Sequence, residues 1–582
     1  MSSSQFPHST PMTRRGFLAL GTGVTAAAVL TACSKNSTAS RTLVEPDSEA
    51  VRAAENTRRA AGAAVRQVRL RAEPATIDLG GVRVQTWAYG GTLPGQEIRI
   101  TKGNVLRAEF TNALPAPSTV HWHGIALRND MDGAPEVTQP AIAPGATFGY
   151  EFTAPDPGTY FFHPHVGVQL DRGLYAPLII EDPADGKDYD LEAVVVLDDW
   201  LDGVNGRAPD TELDQLRAKG MSGMDMGGTN HGGMNHGGMN HGGMNMGGSS
   251  TMAMPTDPNA PLGSDTGDVR DYPHYLINGR IGADPVTITA RPGQRIRLRI
   301  INAASDTAFR VAVGGHQLRV THSDAFPVQP VTTSSLLISM GERYDAVVEL
   351  ADGVFPLVAS AEGKAGQGFA LIRTGGGTPP PADIRPPELS APPLTADRLV
   401  CAESVRLPNR TPDNTLDLTL ENDTTKYLWT INGKAFPDHG MLDVTEGQRV
   451  RLRLVNKTMM FHPHASARSY LPGRHRRGHR PTQGHLHRAA DADRRGRLRR
   501  RQPWTMDGPL PQRLPRRGRN DERRVLRALT VDNQHPDDEP NPVPVESPRF
   551  RRTARNRCIQ EAHRSGVPAD STPGRHSLTS NC

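Results

Sequence analysis

A chain of 582 residues is long enough for three or four domains, and its four cysteines, with no CxxC pair among them, exclude a disulfide framework. Gly (58) and Pro (49) are plentiful while aromatics make up 5%, which suits β-rich domains joined by many turns. The formal charge of +5 hides an asymmetry: from His464 onward there are 26 Arg, no Lys and 12 acidic residues, against 41 basic and 50 acidic residues before it. Such a switch ordinarily marks a nucleic-acid-binding arm, a reading that the coding frame, considered below, argues against.

The chain opens with Thr13-Arg14-Arg15-Gly16-Phe17-Leu18, a twin-arginine export signature leading into an apolar run from Phe17 to Val29. The run is too short and too rich in Gly and Ala for a good membrane span. It closes on Leu30-Thr31-Ala32-Cys33-Ser34, which has the form of a bacterial lipobox, so Cys33 is the expected lipidation site and membrane anchor. The bland alternative is an ordinary signal peptide that contains a cysteine. Either way the working protein is expected outside the cytoplasm, in the cell envelope or periplasm. The stretch 34–66 is polar and Ala-rich and reads as a disordered tether.

Beyond it a pattern recurs. Pro94-Gly95 precedes Glu97–Ile100 and Val105–Asn112; Pro292-Gly293-Gln294 precedes Arg295–Asn302; Glu446-Gly447-Gln448 precedes Arg449–Asn456. The last two copies also carry Ile277-Asn278-Gly279 and Ile431-Asn432-Gly433 upstream. A glycine turn feeding strict apolar/basic alternation is a half-buried strand. Three widely spaced copies predict three similar β-sandwiches rather than a short-period solenoid.

In the first copy the strand leads to His121-Trp122-His123-Gly124 and then to Tyr160-Phe161-Phe162-His163-Pro164-His165. Imidazoles two residues apart on an extended strand point to one face. Four neutral imidazoles from two adjacent strands make a preformed site for copper or zinc. One such pair is commonly surface decoration or a hydrogen-bonded core feature; two pairs framed by apolar aromatics favour a metal site. The second copy leads to no histidine cluster, only to Gly341-Glu342-Arg343-Tyr344-Asp345. The third leads to Met459-Met460-Phe461-His462-Pro463.

Between the first two copies, residues 221–248 repeat Asn-His-Gly-Gly-Met three times over. This composition cannot build a packed core. Its Met221, Met224, Met226, His231, Met234, His236, Met239, His241, Met244 and Met246 offer the soft and borderline ligands that select Cu(I). A copper-collecting arm is favoured over a functionless low-complexity expansion, because Gly-rich filler has no need of both Met and His in each unit.

On these stretches, together with Gly173-Leu174-Tyr175, the chain resembles the three-domain multicopper oxidases, in particular the bacterial laccase-like and copper-resistance members. The resemblance spans about Ile77 to Pro463. It implies an all-β protein of three cupredoxin-like domains with type 1, type 2 and type 3 copper. By position it implies that His121 binds the type 2 ion, that His123, His163 and His165 bind the type 3 pair, and that His462 is one of the type 1 histidines. It also implies dioxygen and a small reductant as reaction partners. The expected layout is 1–33 signal, 34–66 tether, 67–184 domain one, 185–275 connection, 276–376 domain two, 377–395 Pro-rich linker, 396–463 truncated domain three and 464–582 Arg-rich tail.

The family pattern breaks after Pro463. It calls for His-Pro-x-His-Leu-His-Gly-His and then His-Cys-His-x3-His-x4-Met, whereas this chain reads His464-Ala465-Ser466-Ala467-Arg468, with no cysteine until Cys558. Dropping the first base of the His464 codon permits His-Leu-His-Gly-His-Thr-Phe-Gln-Val-Val in the stretch through Arg474. The same frame permits a Trp-Met-Ala-His-Cys-His motif at the expected spacing beyond Gln502. The sequence therefore points to a one-base slip near Pro463 and a tail translated out of frame, without an apolar period and without a fold. Nucleic acid is not an expected partner, since an exported lipoprotein has little use for a basic arm.

Two functions follow. One is a copper-dependent oxidase coupling one-electron oxidation of Cu(I), Fe(II) or phenols to reduction of dioxygen to water, with a role in copper tolerance. As the chain stands, its activity is doubtful. The other is a non-catalytic, exported copper-sequestering lipoprotein. A zinc hydrolase is disfavoured because no carboxylate base is positioned beside either histidine motif.

Overall fold

The computed structural model describes residues 44–463 except 185, 187, 221–258, 263–266, 424, 437, 439–441, 446, 447 and 459, together with a few short strands beyond 463. The export signature, Cys33 and the Met/His segment 221–248 lie outside the described residues, as does most of the tail.

The first sandwich uses β1 (Val65–Asp78), β2 (Arg83–Tyr89), β3 (Ile98–Thr101), β4 (Val105–Asn112), β5 (His121–His123), β6 (Thr147–Thr153), β7 (Gly158–His163) and β8 (Ala176–Glu181). They form one sheet in the order β2-β1-β4-β6 and a second in the order β3-β8-β7-β5. Leu106, Ala108 and Phe110 of β4 point inward while Arg107 and Glu109 face solvent, as strict alternation requires. Between the sheets lies a core that includes Trp122, Tyr150, Phe152, Tyr160 and Phe162.

The second sandwich uses β9 (Leu191–Trp200), β10 (His274–Ile277), β11 (Thr287–Thr289), β12 (Arg295–Asn302), β13 (Phe309–Val313), β14 (Leu318–Ser323), β15 (Phe326–Thr333), β16 (Leu336–Ile338), β17 (Arg343–Glu349), β18 (Val354–Ala361) and β19 (Gln367–Arg373). Its sheets run β10-β9-β12-β17-β14-β15 and β11-β19-β18-β13-β16. The third unit has β20 (Asn414–Asp423), β21 (Leu428–Ile431), β22 (Leu442–Asp443), β23 (Val450–Asn456) and β24 (His462–Pro463), with a smaller core of Leu418, Leu420, Ile431, Val444, Val450, Leu452 and Leu454.

The repeat seen in the sequence is a repeat of backbone construction. The three alternating strands β4, β12 and β23 each pair in parallel with an earlier strand, β1, β9 and β20 respectively. Each ends on an asparagine that performs one task. The side-chain oxygens of Asn112, Asn302 and Asn456 accept the N–H groups of Leu114, Ala304 and Thr458. Their amides donate to the carbonyls of Ala116, Thr307 and Met460. A side chain that satisfies both a donor and an acceptor of the departing loop sets the loop's exit direction. In the first unit that loop runs on to β5.

Two expectations need correction. The tether contains a helix, α1 (Glu49–Arg58), whose buried Glu55 accepts the N–H of Thr153 on β6. Its Ala-rich sequence is helix-prone, and docking the carboxylate on a strand-edge donor supplies the tertiary contact that a short helix needs. The stretch expected as a connection, 185–275, contains β9, which pairs in parallel with β12, and α2 (Pro209–Lys219). Over Val195–Trp200 the strand is buried on both faces, so its sequence reads as a run of apolar and acidic residues without alternation. Beyond Pro463 the described backbone consists of seven strands of two to four residues, one of which (Pro503–Met506) pairs antiparallel with β23.

Domains one and two meet through buried charge. The Thr159 hydroxyl on β7 donates to Asp345 Oδ1 on β17 (2.7 Å) and accepts from Arg299 Nη1 on β12 (3.0 Å). Asp345 Oδ2 faces Arg297 Nη2 at 2.5 Å, and Arg343 Nε donates to the Thr159 carbonyl at 3.2 Å. Gly158, just before Thr159, has φ +148°, and a Cβ there would stand 2.4 Å from the Ala325 Cβ, so the two domains touch backbone to backbone. Burial by itself raises the Asp345 pKa; the Arg297 and Arg299 guanidiniums outweigh it and hold the carboxyl well below the usual range.

A carboxyl whose folded pKa lies below its unfolded value stabilises fully above that unfolded value, and the contribution is lost as pH falls through and below the ordinary carboxylate range. Removing one partner of a buried pair costs about 3–5 kcal/mol. Asp345→Asn is therefore expected to lower the denaturation midpoint at neutral pH and to flatten the loss of stability between neutral and acid pH, read by chemical melts across that range.

Candidate metal centre

The two histidine motifs meet because β5 and β7 are antiparallel neighbours, with His121 opposite His163, Trp122 opposite Phe162 and His123 opposite Phe161. Alternation then sorts the side chains. Trp122 and Phe162 turn into the core, where Trp122 packs against Tyr150, Phe152 and Phe162 with ring centroids 5.1–5.7 Å away. His121, His123 and His163 turn to the other face and are all buried. One ligand nitrogen from each of these three lies within 4.8 Å of the others.

His165 lies just past the end of β7, which stops at His163. Its ring stands 4.4 Å from His121 and 5.0 Å from His163. The four expected histidines of domain one are thus in one place.

The hydrogen bonds assign the tautomers of two of them. His121 Nδ1 lies 2.8 Å from the Asp132 carbonyl oxygen and His163 Nδ1 lies 2.9 Å from the Pro164 carbonyl oxygen. A carbonyl can only accept, so both Nδ1 atoms carry the proton and both Nε2 atoms present a lone pair. His123 Nδ1 stands 3.1 Å from His163 Nε2, which makes it the donor of that pair. Burial, reinforced by the neighbouring His121, pushes the His163 pKa down to about 3, and burial pushes His165 well below the ordinary histidine value. A buried group of imidazoles, two of them oriented by backbone carbonyls, is a donor set suited to copper or zinc.

Asp132 is the residue that the sequence reading missed. Its carbonyl orients His121, and its carboxylate Oδ1 lies 3.6 Å from the same Nδ1. Asp132-Gly133, which begins eight residues beyond the end of the first motif, is the visible signal. Gly133 has φ +77°, and a Cβ there would lie 1.9 Å from the Val120 carbonyl oxygen. No other residue lets this turn press against the start of β5.

His462 lies apart from these four in its surroundings. Its Nε2 is 2.8 Å from the Thr458 hydroxyl, its ring is edge-on to Trp429 at 5.2 Å, and burial pushes its pKa down to about 4. Among the described residues it joins no cluster of three or more His, Cys or carboxylate groups. Nor does Cys401, a buried cysteine bridged by its backbone to Val328.

Comparison with known proteins extends this geometry. Two multicopper oxidase family models match residues 72–185 and 194–377. Multicopper oxidase MmcO of Mycobacterium tuberculosis is 45% identical over 457 residues, covering 77% of this chain and 84% of that protein. Copper resistance protein A of Escherichia coli is 30% identical over 323 residues, covering 53% of this chain and 51% of that protein. A solved laccase from Botrytis aclada superposes with a TM-score of 0.58 at 22% identity, over 77% of this chain and 83% of its own. A multi-copper oxidase from Pseudomonas thermotolerans gives a TM-score of 0.53 at 22% identity, over 76% and 92%.

Gly133→Ala places a methyl group against backbone and forces a left-handed residue, so it should cost about 2 kcal/mol or more. It should also reduce the copper held by purified protein, because the Asp132 carbonyl leaves His121. Denaturant melts and metal analysis read the two effects separately.

Proposed function

Because the chain belongs to the multicopper oxidase family, we propose that its locus encodes an exported copper oxidase that takes single electrons from Cu(I), Fe(II) or phenolic donors and contributes to copper tolerance. Members of the family bind type 1, type 2 and type 3 copper and act on dioxygen and a reducing substrate. The observation that carries the reading is the buried group of imidazoles on β5 and β7.

In this assignment His121 Nε2 serves the type 2 ion, and His123, His163 and His165 serve the type 3 pair. His462 serves as a type 1 ligand. Bound copper supplies one-electron redox chemistry, four electrons and four protons per dioxygen yielding two waters. The chain's own residues do the rest. The Asp132 and Pro164 carbonyls hold the Nδ1 protons of His121 and His163, so that neither ring turns its N–H toward the donor side. The aromatic floor of Trp122 and Phe162 keeps water from the rear of the histidine strands.

Cys33 is the proposed lipid anchor, and the Met and His residues of 221–248 are the proposed Cu(I)-collecting arm. Both rest on residue type and spacing. The frame slip near Pro463 belongs to the same proposal and explains why the Arg-rich stretch replaces the expected type 1 cysteine and the second half of the histidine set.

A second reading is favoured by one observation, the lack of any cysteine between Cys401 and Cys558. This chain is then a non-catalytic copper-binding protein. Resequencing across codon 463, with an oxygen electrode and visible spectra on both proteins, decides between them. The frame-restored protein is expected to consume oxygen with an added donor and to show the intense blue thiolate band. The chain as it stands should bind copper with neither property, and substrate-dependent oxygen uptake by it would sink the second reading.

A further inference from the structure

The middle sandwich carries no histidine cluster among its described residues, and yet it covers the histidine-bearing face of β7. Residues 159, 161 and 163 share that face by alternation. Thr159 is held by Asp345, Arg299 and Arg343 of domain two. Phe161, two residues on, belongs to a buried apolar cluster with Tyr175 of domain one and Val196, Ile301 and Ala303 of domain two. His163 follows.

Phe161 has a second set of neighbours. Its ring stacks on His123, directly opposite across the ladder, at 4.5 Å and 26°, and on His163 at 5.2 Å and 22°. One flat ring therefore lies against two imidazoles on one side and against the apolar wall of domain two on the other. His163 and His121 also have carbonyl partners on their outer nitrogens. Stacking against a ring that cannot move is what confines the planes of His123 and His163, and with them the 3.1 Å approach of His123 Nδ1 to His163 Nε2.

We propose that Phe161, backed by Ile301 and Val196 of domain two, is a positioning residue that sets the planes of His123 and His163, so that the middle domain controls how well domain one holds metal. The inference rests on the reading of these histidines as copper ligands for its consequence, but the positioning itself belongs to the metal-free protein. Flat-on-flat contact also explains why an aromatic residue occupies a strand position whose neighbours on the same face are Thr159 and His163. A branched aliphatic side chain would fill the volume but would leave both rings free to tilt.

The test uses the whole chain and two readouts. In metal-free protein, the rates at which diethyl pyrocarbonate modifies His123 and His163 are followed by peptide mass spectrometry. His316 is the internal control; it lies in domain two, held by the Gly314 carbonyl and the Ala351 N–H. In copper-loaded protein, the rate of copper loss to a competing chelator is followed. Phe161→Leu should raise labelling of His123 and His163 but not of His316, and should speed copper loss about tenfold, the usual effect of removing a group that orients a ligand. Phe161→Tyr, which keeps a flat ring, should restore both. Ile301→Ala, on the other domain, should move both in the same direction as Phe161→Leu, and it carries the test if Phe161→Leu does not fold. Unchanged labelling of His123 and His163 in folded Ile301→Ala and Phe161→Leu would overturn the proposal. Failure of the unmodified chain to retain any copper would instead overturn the copper reading of the site, since the labelling result stands without metal.

Discussion

Four imidazoles gathered within a few ångströms inside a protein can all be accommodated only if none of them is charged. Burial disfavours the protonated ring, and each proton gained would repel the next. Much of domain one follows from this constraint. Nitrogens that do not face the centre need partners that accept a proton and add no charge, and backbone carbonyls meet that need at His121 and His163. The rear of the histidine strands needs to be dry, and Trp122, Tyr160 and Phe162 make it so. The turn at Gly133 and the Asp132 carbonyl exist in this form because His121 lies at the start of a three-residue strand with little else to fix its ring.

The three sandwiches share a scaffold and differ in what they attach to it. In each, an alternating strand ends on an asparagine that bonds both groups of the next turn, and the chain then leaves in an equivalent direction. In the first unit the departing chain supplies β5 and its histidines. In the second it supplies β13, a buried strand that is apolar except for Arg310 and contributes Phe309, Val311 and Val313 to the core of that sandwich. In the third it reaches Phe461 and His462 and meets the point where the family pattern stops. One construction therefore serves all three units of this chain.

The supporting role of the middle domain is expressed in charge as well as in packing. A buried aspartate with two arginines is costly to desolvate, and its net contribution to stability is modest compared with the penalty of breaking it. What such a group supplies best is geometry. Asp345, Arg297 and Arg299 admit the Thr159 hydroxyl in one arrangement, as donor to the carboxylate and acceptor from the guanidinium. That arrangement fixes the height of β7 against domain two.

The sequence alone determined the β-rich class, the threefold repeat, the four histidines and their common destination. Each of these is written in local periodicity or in residue type, and local patterns survive being read one stretch at a time. The structure decided what depends on partners far apart in the chain. Helix α1 became ordered because Glu55 found a donor on β6, and β9 became a strand because β12 was there to pair with it. His165 lies beyond the hydrogen-bonded end of β7, and only the folded chain shows its ring 4.4 Å from His121. The Glu342–Asp345 motif was visible as a string but silent about its role, since Thr159 stands 186 residues away from Asp345. Burial, ring stacking and the choice of histidine tautomer all arise between elements, and no window along one strand contains them.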